Sequence, residues 1–97
     1  MLLNNKTAVI TGCNKGIGKK ILEIFSENGA DIFACSRNLD DDFKLFINEL
    51  EGKYKNKILP VKLDLNDQNS IKESANIILK SGKPIDILIN NAGTIYT

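Results

Sequence analysis

Short apolar runs alternate along the chain with longer stretches in which apolar residues recur every three or four positions. Residues 6–11 (KTAVIT) form a compact, β-branched run that predicts a short buried strand. Behind it, Ile17, Ile21, Ile24 and Phe25 fall at i, i+4, i+7 and i+8, one face of a helix. Asn28-Gly29 ends that helix, since glycine accepts the left-handed conformation found there. Residues 32–36 (IFACS) predict a second strand. Asp40, Asp41 and Asp42 put carboxylates at the positive end of a second helix, whose apolar face is Phe43, Phe46, Ile47 and Leu50. Residues 52–56 read as a polar turn. Residues 58–65 (ILPVKLDL) predict a third strand, with Pro60 near its start, where a missing N–H does least harm. Asn69 or Ser70 caps a third helix, with Ile71, Ala75, Ile78 and Leu79 on one face, and residues 81–84 break it. Residues 85–89 (IDILI) predict a fourth strand, which runs into Asn90-Asn91-Ala92-Gly93.

Strands that alternate with helices imply an α/β fold with a parallel sheet and helices on its faces. With 97 residues there is one domain at most. The balance of 42% hydrophobic and 26% charged residues is that of an ordinary globular domain. A net charge of +1 gives no bulk field for nucleic acid or an anionic membrane. No apolar run approaches the about 20 residues that span a bilayer, and the first residues lack the apolar core of a secretory signal. There is no histidine, which removes His-based catalysis and His metal ligands. Cys13 and Cys35 have no metal-ligand or disulfide-framework spacing. Neighbouring first and second strands would bring them close. A redox pair is then conceivable, but small, reduced, half-buried thiols are the commoner state. The expected setting is a reducing cytoplasm.

The candidate chemistry lies where the first strand meets the first helix. Gly12, Gly16 and Gly18 fall within TGCNKGIG, residues 11–18. Unpaired N–H groups at a helix N-terminus, aided by the helix dipole, form an anion site, and side chains in that turn would hold a pyrophosphate away. An ordinary tight strand-to-helix turn needs fewer glycines. A phosphate-binding P-loop is excluded: Cys13 stands five residues before Gly18 where that motif needs glycine, and Lys20 stands where Ser or Thr would hold magnesium. At the end of the second strand a dinucleotide fold that prefers NAD places an acidic residue. This chain has Ser36-Arg37 there. Arg37 suits a charge-assisted bond to a 2′-phosphate, and Lys15 in the glycine loop approaches from the other side. The alternative is that both are solvated surface charges. For Asp40 to Asp42, the start of a helix is preferred over contact with a ribose.

The spacing G-x-x-x-G-x-G in residues 11–18 resembles the T-G-x-x-x-G-x-G motif of the short-chain dehydrogenases/reductases. NNAG at residues 90–93 resembles that family's second hallmark, and LDL at residues 63–65 matches the segment that meets the adenine. The resemblance covers the whole chain and is nearest to reductases of the 3-oxoacyl-(acyl carrier protein) type. It implies part of a doubly wound Rossmann fold, about four parallel strands in the order 3-2-1-4 with helices on both faces. It implies cofactor contacts from the glycine loop (Gly12, Cys13, Asn14, Lys15, Gly16, Ile17 and Gly18) and from Ser36 and Arg37. Asp64 would accept a bond from the adenine amino group and Leu65 would line the ring. Asn91, Ala92 and Gly93 would border the adjacent ribose, although Asn91 serves equally well to tie strands together. Basic residues at positions 15 and 37 are typical of members that prefer NADP over NAD.

The activity implied is hydride transfer between NADP(H) and a carbonyl or alcohol, on a small-molecule or acyl-carrier-bound substrate, with no nucleic-acid or membrane partner. The family's catalytic Ser and Tyr-x-x-x-Lys lie beyond the fourth strand, and Tyr54 and Tyr96 have neither the spacing nor the place to replace them. These 97 residues are therefore expected to be the N-terminal half of a longer reductase and inactive alone, without the helices that build the family's oligomers. A non-catalytic dinucleotide-binding module and a non-functional fragment are the competing readings. Residues 85–89 would then form an apolar sheet edge prone to aggregation.

Overall fold

The computed structural model describes residues 1–91, so the expectations for Ala92 and Gly93 lie outside the described residues. The elements run β1 (Thr7–Thr11), α1 (Gly16–Glu27), β2 (Asp31–Ser36), α2 (Asp41–Tyr54), β3 (Ile58–Lys62), α3 (Gln68–Lys80) and β4 (Ile87–Ile89). The four strands form one parallel sheet in the order β3-β2-β1-β4, as the doubly wound reading requires. Pro60 is tolerated because β3 lies at the end of that order, pairing only with β2 among the described residues.

Alternation along the strands makes two cores. Ala8, Ile10, Ile32, Ala34 and Ile58 face α1 and α2, where Leu22, Phe43, Ile47 and Leu50 close over them. Val9, Phe33, Cys35 and Val61 face the other way, packed by Leu63 and by Ile78 of α3. Helices therefore cover both faces, the first more completely than the second.

Four local expectations need correction. The inward residues of α1 are Gly18, Leu22 and Ser26. Ile21 and Phe25 are half-buried, whereas Ile17 and Ile24 are exposed. The inward residues of α3 are Ser70 and Ser74, leaving Ile71 and Ala75 exposed and Leu79 at 75% exposure. The cap of α3 is Asp67, whose carboxylate accepts from the N–H groups of Asn69 and Ser70; the Ser70 hydroxyl instead accepts from the Asp64 N–H. Finally, α2 runs on through Gly52 to Tyr54, where a turn was expected, and leaves through Lys55 at φ 61. Strand ends differ too: β3 stops at Lys62, and β4 starts at Ile87 because Asp86 turns its carboxylate and N–H onto the backbone of Thr7.

Candidate functional site

The site grows from the end of β1. Gly12 and Gly16 have φ of 66° and 60°, the left-handed region that glycine enters without cost. Between them the chain reverses, and α1 begins after an extended Lys15 that makes no side-chain cap bond. No acidic residue lies in the first turn. The first N–H groups of a helix have no intrahelical partner, and the dipole favours an anion at this end. Gly18 has a different task. A Cβ at Gly18 would sit 1.9 Å from the Gly12 carbonyl oxygen and 2.7 Å from Asn91 Nδ2, so only glycine lets α1 approach the loop.

Asn91 completes the loop from the far end of the sequence. Its side-chain amide donates to the Gly12 carbonyl at 3.2 Å, and its N–H donates to Thr11 Oγ1 at 2.9 Å. Of its two expected roles, the strand tie is present; Asn91 also lines the cleft described next. Thr11 was not singled out from sequence, and nothing in a β-branched strand residue marks it as a partner for position 91.

A cleft of about 460 Å³ opens at the carboxyl ends of the strands. Its floor is Gly12, Asn14, Lys15, Gly16 and Ile17. Arg37 from the end of β2 and residues 63–66 after β3 form the opposite wall. Ile17, expected both on the apolar face of α1 and among the cofactor contacts, is 72% exposed and lines this cleft. Leu63, read from sequence only as part of the LDL segment, lines it as well, and so does Asn66, which was not among the predicted contacts; Asn66 is carried there by an Asx turn, its N–H donating to Asp64 Oδ1 at 3.0 Å. Arg37 Nε lies 3.9 Å from Asp64 Oδ2.

Three predicted contacts sit behind the cleft wall. Gly18 is buried against Gly12 and Asn91. Ser36 is buried, and its hydroxyl donates to the Asn38 carbonyl, which shapes the turn that presents Arg37. Cys13 is fully enclosed, its thiol donating to the Ile10 carbonyl at 3.0 Å, and its N–H bonds to the Cys35 carbonyl at 3.2 Å. Burial, with the Cys35 thiol nearby, pushes Cys13 up to about 12, and burial pushes Cys35 up to about 11. Both are free thiols. Among the described residues no group of three or more His, Cys, Asp or Glu could hold a metal ion, and no helix is long and apolar enough to cross a membrane.

Comparison with known proteins agrees with this geometry. The family model of the short chain dehydrogenases matches residues 6–97. The NADP-dependent 3-hydroxy acid dehydrogenase of Schizosaccharomyces pombe is 38% identical over 92 residues, which are 94% of this chain and 35% of that protein. The 3-oxoacyl-[acyl-carrier-protein] reductase of Thermotoga maritima is 35% identical over 96 residues, 96% of this chain and 37% of that one. The structure of L-sorbose reductase from Gluconobacter frateurii, complexed with NADPH and L-sorbose, superposes with a TM-score of 0.83 at 33% identity, covering 95% of this chain and 35% of the other. The chain spans between 29% and 37% of the length of such curated relatives. With its parallel sheet, its glycine loop and a family match over residues 6–97, the chain belongs to the short-chain dehydrogenase family.

Proposed function

We propose that these residues supply the dinucleotide-binding half of an NADP-dependent oxidoreductase that transfers hydride between NADP(H) and a carbonyl or alcohol. One observation carries the reading. A single cleft joins two left-handed glycines and an uncapped helix start to a guanidinium at the end of β2, where an NAD-selective fold has a carboxylate. In this reading the N–H groups at the start of α1 receive the pyrophosphate, with Gly12, Asn14, Gly16 and Ile17 bounding its space. Arg37 and Lys15 receive the 2′-phosphate, Arg37 through paired N–H bonds. Asp64 and Leu65 serve the adenine. Asn91, followed in sequence by Ala92 and Gly93, borders the ribose. When bound, the nicotinamide supplies the hydride chemistry. The names of two relatives support the cofactor, one an NADP-dependent dehydrogenase and one a reductase complexed with NADPH.

The substrate is a small-molecule or acyl-carrier-bound carbonyl compound. The family's Ser and Tyr-x-x-x-Lys follow the fourth strand, so these 97 residues are expected to bind cofactor without turnover. The test is titration of the chain with NADPH and with NADH, followed by nicotinamide fluorescence, alongside Arg37→Asp. We expect tighter binding of NADPH, reversed in favour of NADH by Arg37→Asp. A folded chain that binds neither nucleotide would overturn the reading, and equal affinities would overturn its NADP part.

A further inference from the structure

Two side chains assigned to different parts of the cofactor meet each other across the cleft. Arg37 Nε lies 3.9 Å from Asp64 Oδ2, and both residues line the same space. Asp64 is held on every other side. Its N–H donates to Ser70 Oγ at 2.9 Å, its carbonyl accepts from the Asp67 N–H at 3.0 Å, and its Oδ1 accepts from the Asn66 N–H at 3.0 Å. Among the described residues, Oδ2 is the remaining atom, and it faces the guanidinium. Arg37 is the opposite case. Its side chain is 69% exposed, and among the described residues Asp64 is its only ionic partner. A long, exposed arginine must lose rotamer freedom before it can grip a phosphate. The ion pair with Asp64 faces the Nε edge and, at 3.9 Å, is not a hydrogen bond. A guanidinium has five N–H donors in one plane, and among the described residues nothing pairs with its Nη edge, which is left to a phosphate.

We propose that Asp64 is a positioning residue for Arg37. It holds the guanidinium across the mouth of the cleft by the Nε edge and so raises the discrimination in favour of nucleotides phosphorylated on the ribose 2′-oxygen. The inference rests on the NADP reading of the cleft and assigns to Asp64 a second role in it.

The test is calorimetric titration of the full chain with adenosine 2′,5′-bisphosphate and adenosine 5′-monophosphate. The quantity read is the ratio of the two affinities in the wild type, Asp64→Asn, Arg37→Gln and the double variant. Asn at position 64 keeps an oxygen for the Asn66 N–H, so the entry to α3 survives while the charge is lost. We expect Asp64→Asn to lower the ratio about two- to five-fold, the range of an exposed ion pair, and to leave it unchanged when Arg37 is already Gln. Asp64→Glu, which keeps the charge, should recover part of the ratio. A ratio that is unaltered by Asp64→Asn, or lowered equally in both backgrounds, would overturn the positioning role alone. A wild type that binds neither nucleotide, or both equally, would overturn the NADP reading and this proposal with it. A second readout needs no nucleotide. Arg37 is the only arginine in the chain, so its Nε–H resonance is unambiguous. That resonance should shift on Asp64→Asn, and an unmoved resonance would overturn the proposal.

Discussion

Cys13 and Cys35 show what enclosure does to one functional group. The Cys13 thiol, in the glycine loop, and the Cys35 thiol, in β2, are each bonded to a backbone carbonyl and shut off from water. A thiolate there would be stripped of solvent, so the folded state holds both protons more tightly than an unfolded chain whose thiols titrate near 9.0. The sign follows from proton linkage. This contribution to stability is complete below about pH 9 and is lost as pH rises toward the folded values of about 11 and 12. Urea unfolding across pH 8–11 should show stability falling through that upper range, with a shallower fall in the Cys13→Ala, Cys35→Ala double variant. Identical pH slopes in the two proteins would refute this account. Reaction with a thiol reagent at neutral pH should likewise wait for unfolding, since the reactive form is the thiolate.

At the scale of elements, two glycines in helices predict opposite outcomes. Gly18 lies in α1, where a methyl group would collide with the Gly12 carbonyl. Gly18→Ala should cost about 1–3 kcal/mol, the range of an overpacked contact, and weaken nucleotide binding because the loop moves with it. Gly52 lies in α2 with open space around its Cβ direction and an ordinary helical backbone. Gly52→Ala should therefore add about 0.5–1 kcal/mol by restricting the unfolded chain. Thermal melts of both variants check the two signs together. The same contrast explains what could be read from sequence. Phe43, Ile47 and Leu50 mark the inward face of α2 because that helix packs through large apolar side chains. In α1 and α3 the inward face includes Gly18 and Ser26, or Ser70 and Ser74, since close approach to loop and sheet selects small residues. An apolar stripe cannot reveal such a face, and Ile17, Ile71 and Leu79 pointed elsewhere. The glycine loop and Arg37 were legible because their chemistry is local, whereas residues 63–65 entered only through the family resemblance of LDL. Asn66 and the Thr11 tie were not legible, because they depend on where separate strands end.

Across the whole molecule the two sheet faces are unequally covered. One carries α1 and α2; the other carries α3, which contributes Ile78 and leaves Leu59 47% exposed on β3. Among the described residues β4 pairs only with β1, and its Leu88 is 67% exposed. An apolar strand with a free hydrogen-bonding edge is a template for association. These 97 residues should therefore scatter light progressively at high concentration, and Leu88→Lys should slow that growth several-fold. Because Leu88 is already mostly in water, the substitution should alter stability by no more than about 0.5 kcal/mol. Unchanged aggregation in Leu88→Lys would move the responsibility from β4 to another surface.

The tie between Asn91 and Gly12 also sets an order of events in time. The two residues are 79 positions apart, yet the carbonyl of the earlier one is fixed by the amide of the later. β1, α1 and β2 can assemble from contacts between sequence neighbours, whereas this bond requires nearly the whole described chain to close on itself, and such non-local closure is slow. The glycine loop therefore cannot take the shape described above until the chain as far as Asn91 has been made and has docked. A growing chain thus carries the glycine motif well before it carries the closed loop.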